Sequence, residues 1–155
     1  MPEFIDWASE RDRGAVLGRV ADLLDAGRSI VVPTETGPAL VARADRGARL
    51  DGFSTEGLSW SLALPETADI ATWTGPLPAA VRRLMKRAWP GPLVVEMAGA
   101  PVPGTGVSES VARLLASNGG FPLRRPGHDA ILDLLASTDA PLVLAEPTAH
   151  AAAWI

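Results

Sequence analysis

The sequence predicts an α/β protein with one partly parallel sheet, and three observations carry that expectation. Short apolar or β-branched runs recur between Gly- and Pro-rich turns. Segments with apolar residues at helical spacing separate most of those runs. The whole is 155 residues long with 47% hydrophobic and 21% charged residues, which suits one globular domain over residues 1–155.

Ser9 with Asp12 forms a capping-box-like start. Val16, Leu17, Val20, Leu23 and Leu24 follow at helical spacing, and Gly27 is a natural stop, so a helix is expected over about 10–26. Ile30, Val31 and Val32 then form a β-branched run that halts at Pro33, giving a strand over 29–33. Thr34, Glu35, Thr36, Gly37 and Pro38 make a polar turn before a second strand over 39–43. That turn brings two hydroxyls and a carboxylate to the mouth of the sheet, where open α/β folds bind ligands. The same residues also suit an ordinary turn whose side chains satisfy only local backbone groups.

Residues 45–57 are polar, Gly-rich and without a clear period, which reads as a loop or an interrupted helix. Leu58, Trp60, Leu62 and Leu64 alternate with Ser59, Ser61 and Ala63, the pattern of a half-buried strand. A short helix is expected over 66–73. Leu77, Val81, Leu84, Met85 and Ala88 form the apolar stripe of another helix, with Arg82, Arg83, Lys86 and Arg87 on its other face. Trp89-Pro90-Gly91-Pro92 ends that helix, and a strand follows over 93–97. The remaining expectations are a helix over 108–117, a strand over 121–125, a helix over 127–137, a strand over 141–145, and a helix beginning at Pro147. His128 suits capping or packing of the helix after it.

Composition narrows the chemistry. The chain has no cysteine, so disulfides, thiolate catalysis and cysteine zinc sites are excluded, and a reducing, cytoplasmic setting is expected. No apolar run has membrane-spanning length, and the first residues are too polar for a signal peptide. A net charge of -4 and a pI of about 5.1 disfavour nucleic acid globally, leaving Arg82, Arg83, Lys86 and Arg87 as the local basic face for any RNA contact. That face also suits simple solvation. Trp7, Trp60, Trp73, Trp89 and Trp154 read as packing residues rather than a base-stacking platform. No catalytic nucleophile and no metal-ligand set stands out.

Four stretches occur in the order of one known family. VPTETGPAL (32–40) resembles the P-T-E-T-V-Y-G-L signature of the YrdC-like domain, the fold of threonylcarbamoyl-adenylate synthases. AWPGPLVVEM (88–97) resembles its W-P-G-P-L-T strand, and FPLRRPGHDAILDLL (121–135) its V-R-x-P-x-H-p stretch before a helix. APLVLAEPTAH (140–150) stands where the family has P-L-v-x-T-S-A-N-x-S-G. The resemblance implies a YrdC-like twisted, open, mixed sheet with helices on its faces and a large concave cavity. It also implies use of L-threonine, bicarbonate and ATP with Mg to make threonylcarbamoyl-adenylate for tRNA modification, and double-stranded RNA binding in some members. Such chemistry rests on positioning reactants and stabilising phosphate charge.

The resemblance further implies ligand contact at Thr34, Glu35, Thr36, Arg124, Glu146 and Thr148. Departures fall where charge is handled. The family's K-x-R lysine has no counterpart, because Lys86 is the only lysine and precedes Trp89. Arg46 or Arg49 are the nearest substitutes, with different reach and geometry. Glu146-Pro147-Thr148 replaces S-x-N, setting a carboxylate where a hydroxyl meets phosphate. Pro38-Ala39 replaces Y-G, and Val94 replaces the Thr after P-G-P-L. The family's last helix and strand have no counterpart before Ile155, so a C-terminally short member is expected. Three readings follow: a degenerate relative that keeps a cavity for a nucleotide or amino acid, an active synthase with substitute residues, and an RNA-binding module.

Overall fold

The computed structural model describes residues 4–7, 12–46, 50, 57–65, 69–102, 104–116 and 119–148. Six strands form one mixed sheet: β1 (Ile30–Thr34), β2 (Gly37–Arg43), β3 (Leu58–Ala63), β4 (Val94–Ala98), β5 (Gly120–Arg124) and β6 (Leu142–Pro147), in the order β1-β2-β6-β3-β5-β4. All six expected strands are present in that one sheet. Only β3 and β5 run parallel; the other neighbours are antiparallel. The helices among the described residues are α1 (Arg13–Asp25), α2 (Ile70–Thr74), α3 (Ala79–Ala88), α4 (Glu109–Leu115) and α5 (Asp129–Ser137).

Strand parity builds two cores. Val32, Ala39, Val41, Ala63, Leu142 and Leu144 face α1 and α5, whose Val20, Leu24, Ile131, Leu134 and Leu135 complete that layer. Leu40, Ala42, Trp60, Leu62, Val143 and Ala145 face the other way, onto Met85, Val111 and Leu115. β6 therefore buries both faces, and its continuous apolar run is what a central strand requires.

The same arrangement corrects the half-buried reading of β3. Ser61 and Ala63 are buried, because β3 lies between β6 and β5 and Ala63 packs in the α1/α5 layer. Leu84, expected on the apolar stripe of α3, is 50% exposed; Met85 is the buried residue of that helix. Pro147 ends β6 instead of opening a helix, Thr148 is not helical, and residues 149–155 of that expected helix lie outside the described residues. So do Ser9, Arg49, Trp154 and most of 45–57.

Local chemistry sets the element ends. Gly27 has φ +74°, and the N–H groups of Gly27 and Arg28 donate to the carbonyls of Leu24 and Leu23, a Schellman close to α1. Gly91 follows a cis Trp89–Pro90 bond, and a Cβ there would sit 2.5 Å from the Ala88 carbonyl oxygen. Glycine is therefore required at that turn. The His128 side chain accepts from the Ala130 N–H and caps α5, as expected. No helix among the described residues is long and apolar enough to cross a membrane.

Candidate functional site

The tight β1–β2 hairpin pairs Thr34 with Gly37 and leaves Glu35 and Thr36 at its tip. Register then decides what the tip meets. Val32 and Ala39 face α1 and α5, so Thr34, two residues beyond Val32, points to that same side. Leu144 puts Glu146 on it by the same parity, and the pairing of Arg124 with Ala63 puts Arg124 there too. Ser59 and Ser61 occupy this face of β3, between the strands that carry Arg124 and Glu146. Their small side chains leave the long arginine room to run along the sheet.

The result is one hydrogen-bonded cluster. Arg124 is fully buried, and its guanidinium donates to Glu146 Oε2 at 2.6 Å and to Glu35 Oε1 at 2.8 Å. Both carboxylates stay partly open to solvent, at 22% for Glu35 and 20% for Glu146. The Thr36 hydroxyl donates to Glu146 Oε1 at 2.6 Å, and the Thr34 hydroxyl stands 2.9 Å from the same oxygen. Thr34 also lies 2.8 Å from the Gly37 carbonyl and accepts the Thr36 N–H at 3.3 Å. Its single proton serves either Glu146 or Gly37. With one guanidinium and two carboxylates, the cluster carries a net formal charge of −1 at neutral pH.

The sequence fits known proteins as a fold and as a family. The family model Sua5/YciO/YrdC, described as "Telomere recombination", matches residues 22–150. The chain belongs to this family. A double-substituted Sua5 from P. abyssi superposes with a TM-score of 0.70 at 21% identity, over 87% of this chain and 39% of that one. P. abyssi Sua5 complexed with L-threonine gives 0.65 at 22% identity, over 83% of this chain and 37% of that one. E. coli YciO gives 0.64 at 20% identity, over 84% and 62%. The chain thus spans well under half of the Sua5 chains it resembles. No curated protein matches it.

Within this YrdC-like domain the expected residues divide. Thr34, Glu35, Thr36, Arg124 and Glu146 converge as described. Thr148 stays out of the cluster: its N–H and hydroxyl both donate to the Gly57 carbonyl, at 2.7 and 3.1 Å, fastening the lead into β3. Arg82, Arg83, Lys86 and Arg87 are exposed on α3. Arg46 lies beyond the far end of β2 and donates to the Asp25 carbonyl, away from the cluster. Gly127, not singled out in the sequence, is a further contributor through a backbone hydrogen bond to Glu35. The signal was available: Pro126-Gly127 directly precedes the capped start of α5, where free N–H groups collect.

A second buried cation marks the opposite end of β2. Arg43 is bidentate to Asp45, at 2.9 and 2.7 Å, and also pairs with Asp25 and, at 3.2 Å, with Asp139. Asp45 belongs to this end of β2 and takes no part in the cluster of Glu35 and Glu146. The hydrogen bond from Arg43 is the main reason the Asp45 carboxyl is held below its ordinary range, against the opposing effect of burial. Asp25 ends α1, where a negative charge opposes the helix dipole. Arg43 and Arg46 offset it.

Glu35 carries a pH signature. Burial alone raises its carboxyl, but its own backbone N–H, Arg124 and the Gly127 backbone together hold it below the ordinary value of 4.5. A lowered folded value means stability that is complete above 4.5 and is lost as pH falls through the folded value. Urea midpoints for the wild type and Glu35→Gln should therefore differ most at neutral pH and converge as pH falls below 4.5 and through the folded value. A gap that widens in acid would reverse the assignment.

Proposed function

We propose that residues 1–155 form one divergent YrdC-like domain that retains a ligand-binding cluster at the β1–β2 turn but makes little or no threonylcarbamoyl-adenylate. The observation that carries this reading is the double engagement of Arg124 by Glu35 and Glu146. Adenylyl transfer from ATP with Mg requires the triphosphate charge to be held while pyrophosphate leaves. Here the buried arginine already spends its charge on the chain's own carboxylates. The only lysine, Lys86, is exposed on α3, and Arg46 is committed to Asp25. A net-negative cluster favours a neutral or cationic small molecule over a nucleotide triphosphate. L-threonine, the ligand of the similar Sua5, is net neutral, with an ammonium that suits the partly exposed carboxylates Glu35 and Glu146. An amino acid is therefore the preferred ligand class.

The test is pyrophosphate release with threonine, bicarbonate, ATP and magnesium, beside an enzyme that retains K-x-R and S-x-N. Loss of one such charge contact commonly costs about a hundredfold in rate, and at least that deficit is expected. Turnover within about tenfold of the control would establish an active synthase with substitute residues.

A second reading rests on α3. Among the described residues, the side chains of Arg82, Arg83, Lys86 and Arg87 have no ion-pair or hydrogen-bond partner. Such a face supports weak contact with double-stranded RNA. That binding would fall steeply with salt, and a net charge of -4 opposes it.

A further inference from the structure

We infer that Thr34, Thr36 and Arg124 form an intact receptor for a small monocarboxylate, and that the side chain of Glu146 fills it as a built-in ligand. The inference rests on the reading of this cluster as a binding site and adds what occupies it.

The donors around Glu146 are arranged as they would be around a bound carboxylate. One oxygen takes the Thr36 hydroxyl at 2.6 Å and has the Thr34 hydroxyl at 2.9 Å; the other takes the Arg124 N–H at 2.6 Å. These donors come from β1, the turn after it, and β5, whereas Glu146 comes from β6. Receptor and occupant are thus on separate strands, and the receptor does not depend on the Glu146 side chain for its backbone path. The threonines have their own anchors. Thr34 lies within reach of the Gly37 carbonyl and accepts the Thr36 N–H. Arg124 keeps its second partner, Glu35, when Glu146 is removed. The guanidinium also has donor capacity in reserve, since its buried Nε–H has no partner among the described residues.

Charge selects the ligand class. Without Glu146 the Arg124–Glu35 pair is neutral, and a single negative charge restores the balance of the intact protein. A dianionic phosphate overshoots it, beside the remaining Glu35 carboxylate. Formate and acetate have the size and charge of the missing carboxylate. In the wild type, an external anion must first displace Glu146, so the contact is autoinhibitory towards anions.

The experiment is chemical rescue of Glu146→Ala. Thermal midpoints are measured in sodium chloride, formate, acetate and phosphate at equal ionic strength. The variant should melt below the wild type in chloride and regain on the order of 3–5 °C in formate at about ten times its dissociation constant. Acetate should act similarly and phosphate much less. The wild type, and the variant that also carries Thr34→Val and Thr36→Val, should not distinguish formate from chloride. If Glu146→Ala does not fold in chloride, the readout becomes the yield of folded protein by circular dichroism on refolding in each salt. Equal behaviour in formate and chloride overturns the inference, as does an equal formate response in the wild type. The result is separable from synthase activity. Pyrophosphate release by the wild type overturns the functional proposal whatever Glu146→Ala does in formate. A variant indifferent to formate removes this inference while leaving an inactive wild type explained.

Discussion

Replacing Arg124 with methionine lowers the free energy of unfolding by about 3 kcal/mol, read from urea denaturation at neutral pH. Arg124 is completely buried, and its guanidinium is the cation for both Glu35 and Glu146. Without it, two carboxylates face each other with only threonine hydroxyls and the Gly127 backbone to hold them. Each is about one-fifth exposed, so some hydration returns, and the cost falls at the low end for a broken buried pair. Adding Glu35→Gln and Glu146→Gln to the methionine variant removes the repulsion and should recover most of the loss. Arg124→Lys should fall between, because one ammonium cannot match the planar fork that reaches both carboxylates. A methionine variant within about 0.5 kcal/mol of wild type would mean the ion pairs contribute nothing to folding.

The second large effect belongs to Arg43. Its side chain is 7% exposed and gathers Asp25, Asp45 and Asp139, which come from the end of α1, the turn after β2 and the approach to β6. Arg43→Met leaves three aspartates together and unfastens three segments at once. A loss of about 2–4 kcal/mol is expected, moderated because Asp25 and Asp139 are largely solvated. The loss should shrink in acid, as Asp45 is protonated below its ordinary value of 3.8, and Asp45→Asn should reproduce part of it. A methionine variant as stable as wild type, or one whose deficit grows in acid, would contradict this role.

The fold was largely legible because its signals are local. Gly27 and the Trp89-Pro90-Gly91 turn punctuate elements through backbone constraints that act within a few residues, whereas β1 runs on through Pro33 to Thr34. Burial of both faces along the later half of β3 was not legible, since Ser61 looks solvent-facing, as Ser59 is, until β5 and β6 flank it. Leu84 misled for the converse reason: helical spacing identifies a stripe but not whether another layer covers it. The candidate residues Thr34, Glu35, Thr36, Arg124 and Glu146 were readable from motif order. Their mutual pairing was not, because it depends on strand parity across three pairings. The partners of Arg43 were invisible for the same reason. Only the tertiary meeting of two helix ends and a turn brings Asp25, Asp45 and Asp139 to one guanidinium.

The position of β6 sets a timetable for the growing polypeptide. It is the last of the described strands in sequence but lies between β2 and β3 in space. Until residues 142–147 have left the ribosome, the β1–β2 hairpin has no strand pairing to the β3-β5-β4 portion, and both portions show open edges that invite mispairing. Thr34 and Glu146 are 112 positions apart, so the cluster cannot assemble during synthesis of the first strands. A nascent chain halted before residue 142 should therefore be protease-sensitive and chaperone-dependent. Acquisition of the Arg124 contacts would then coincide with acquisition of the sheet itself.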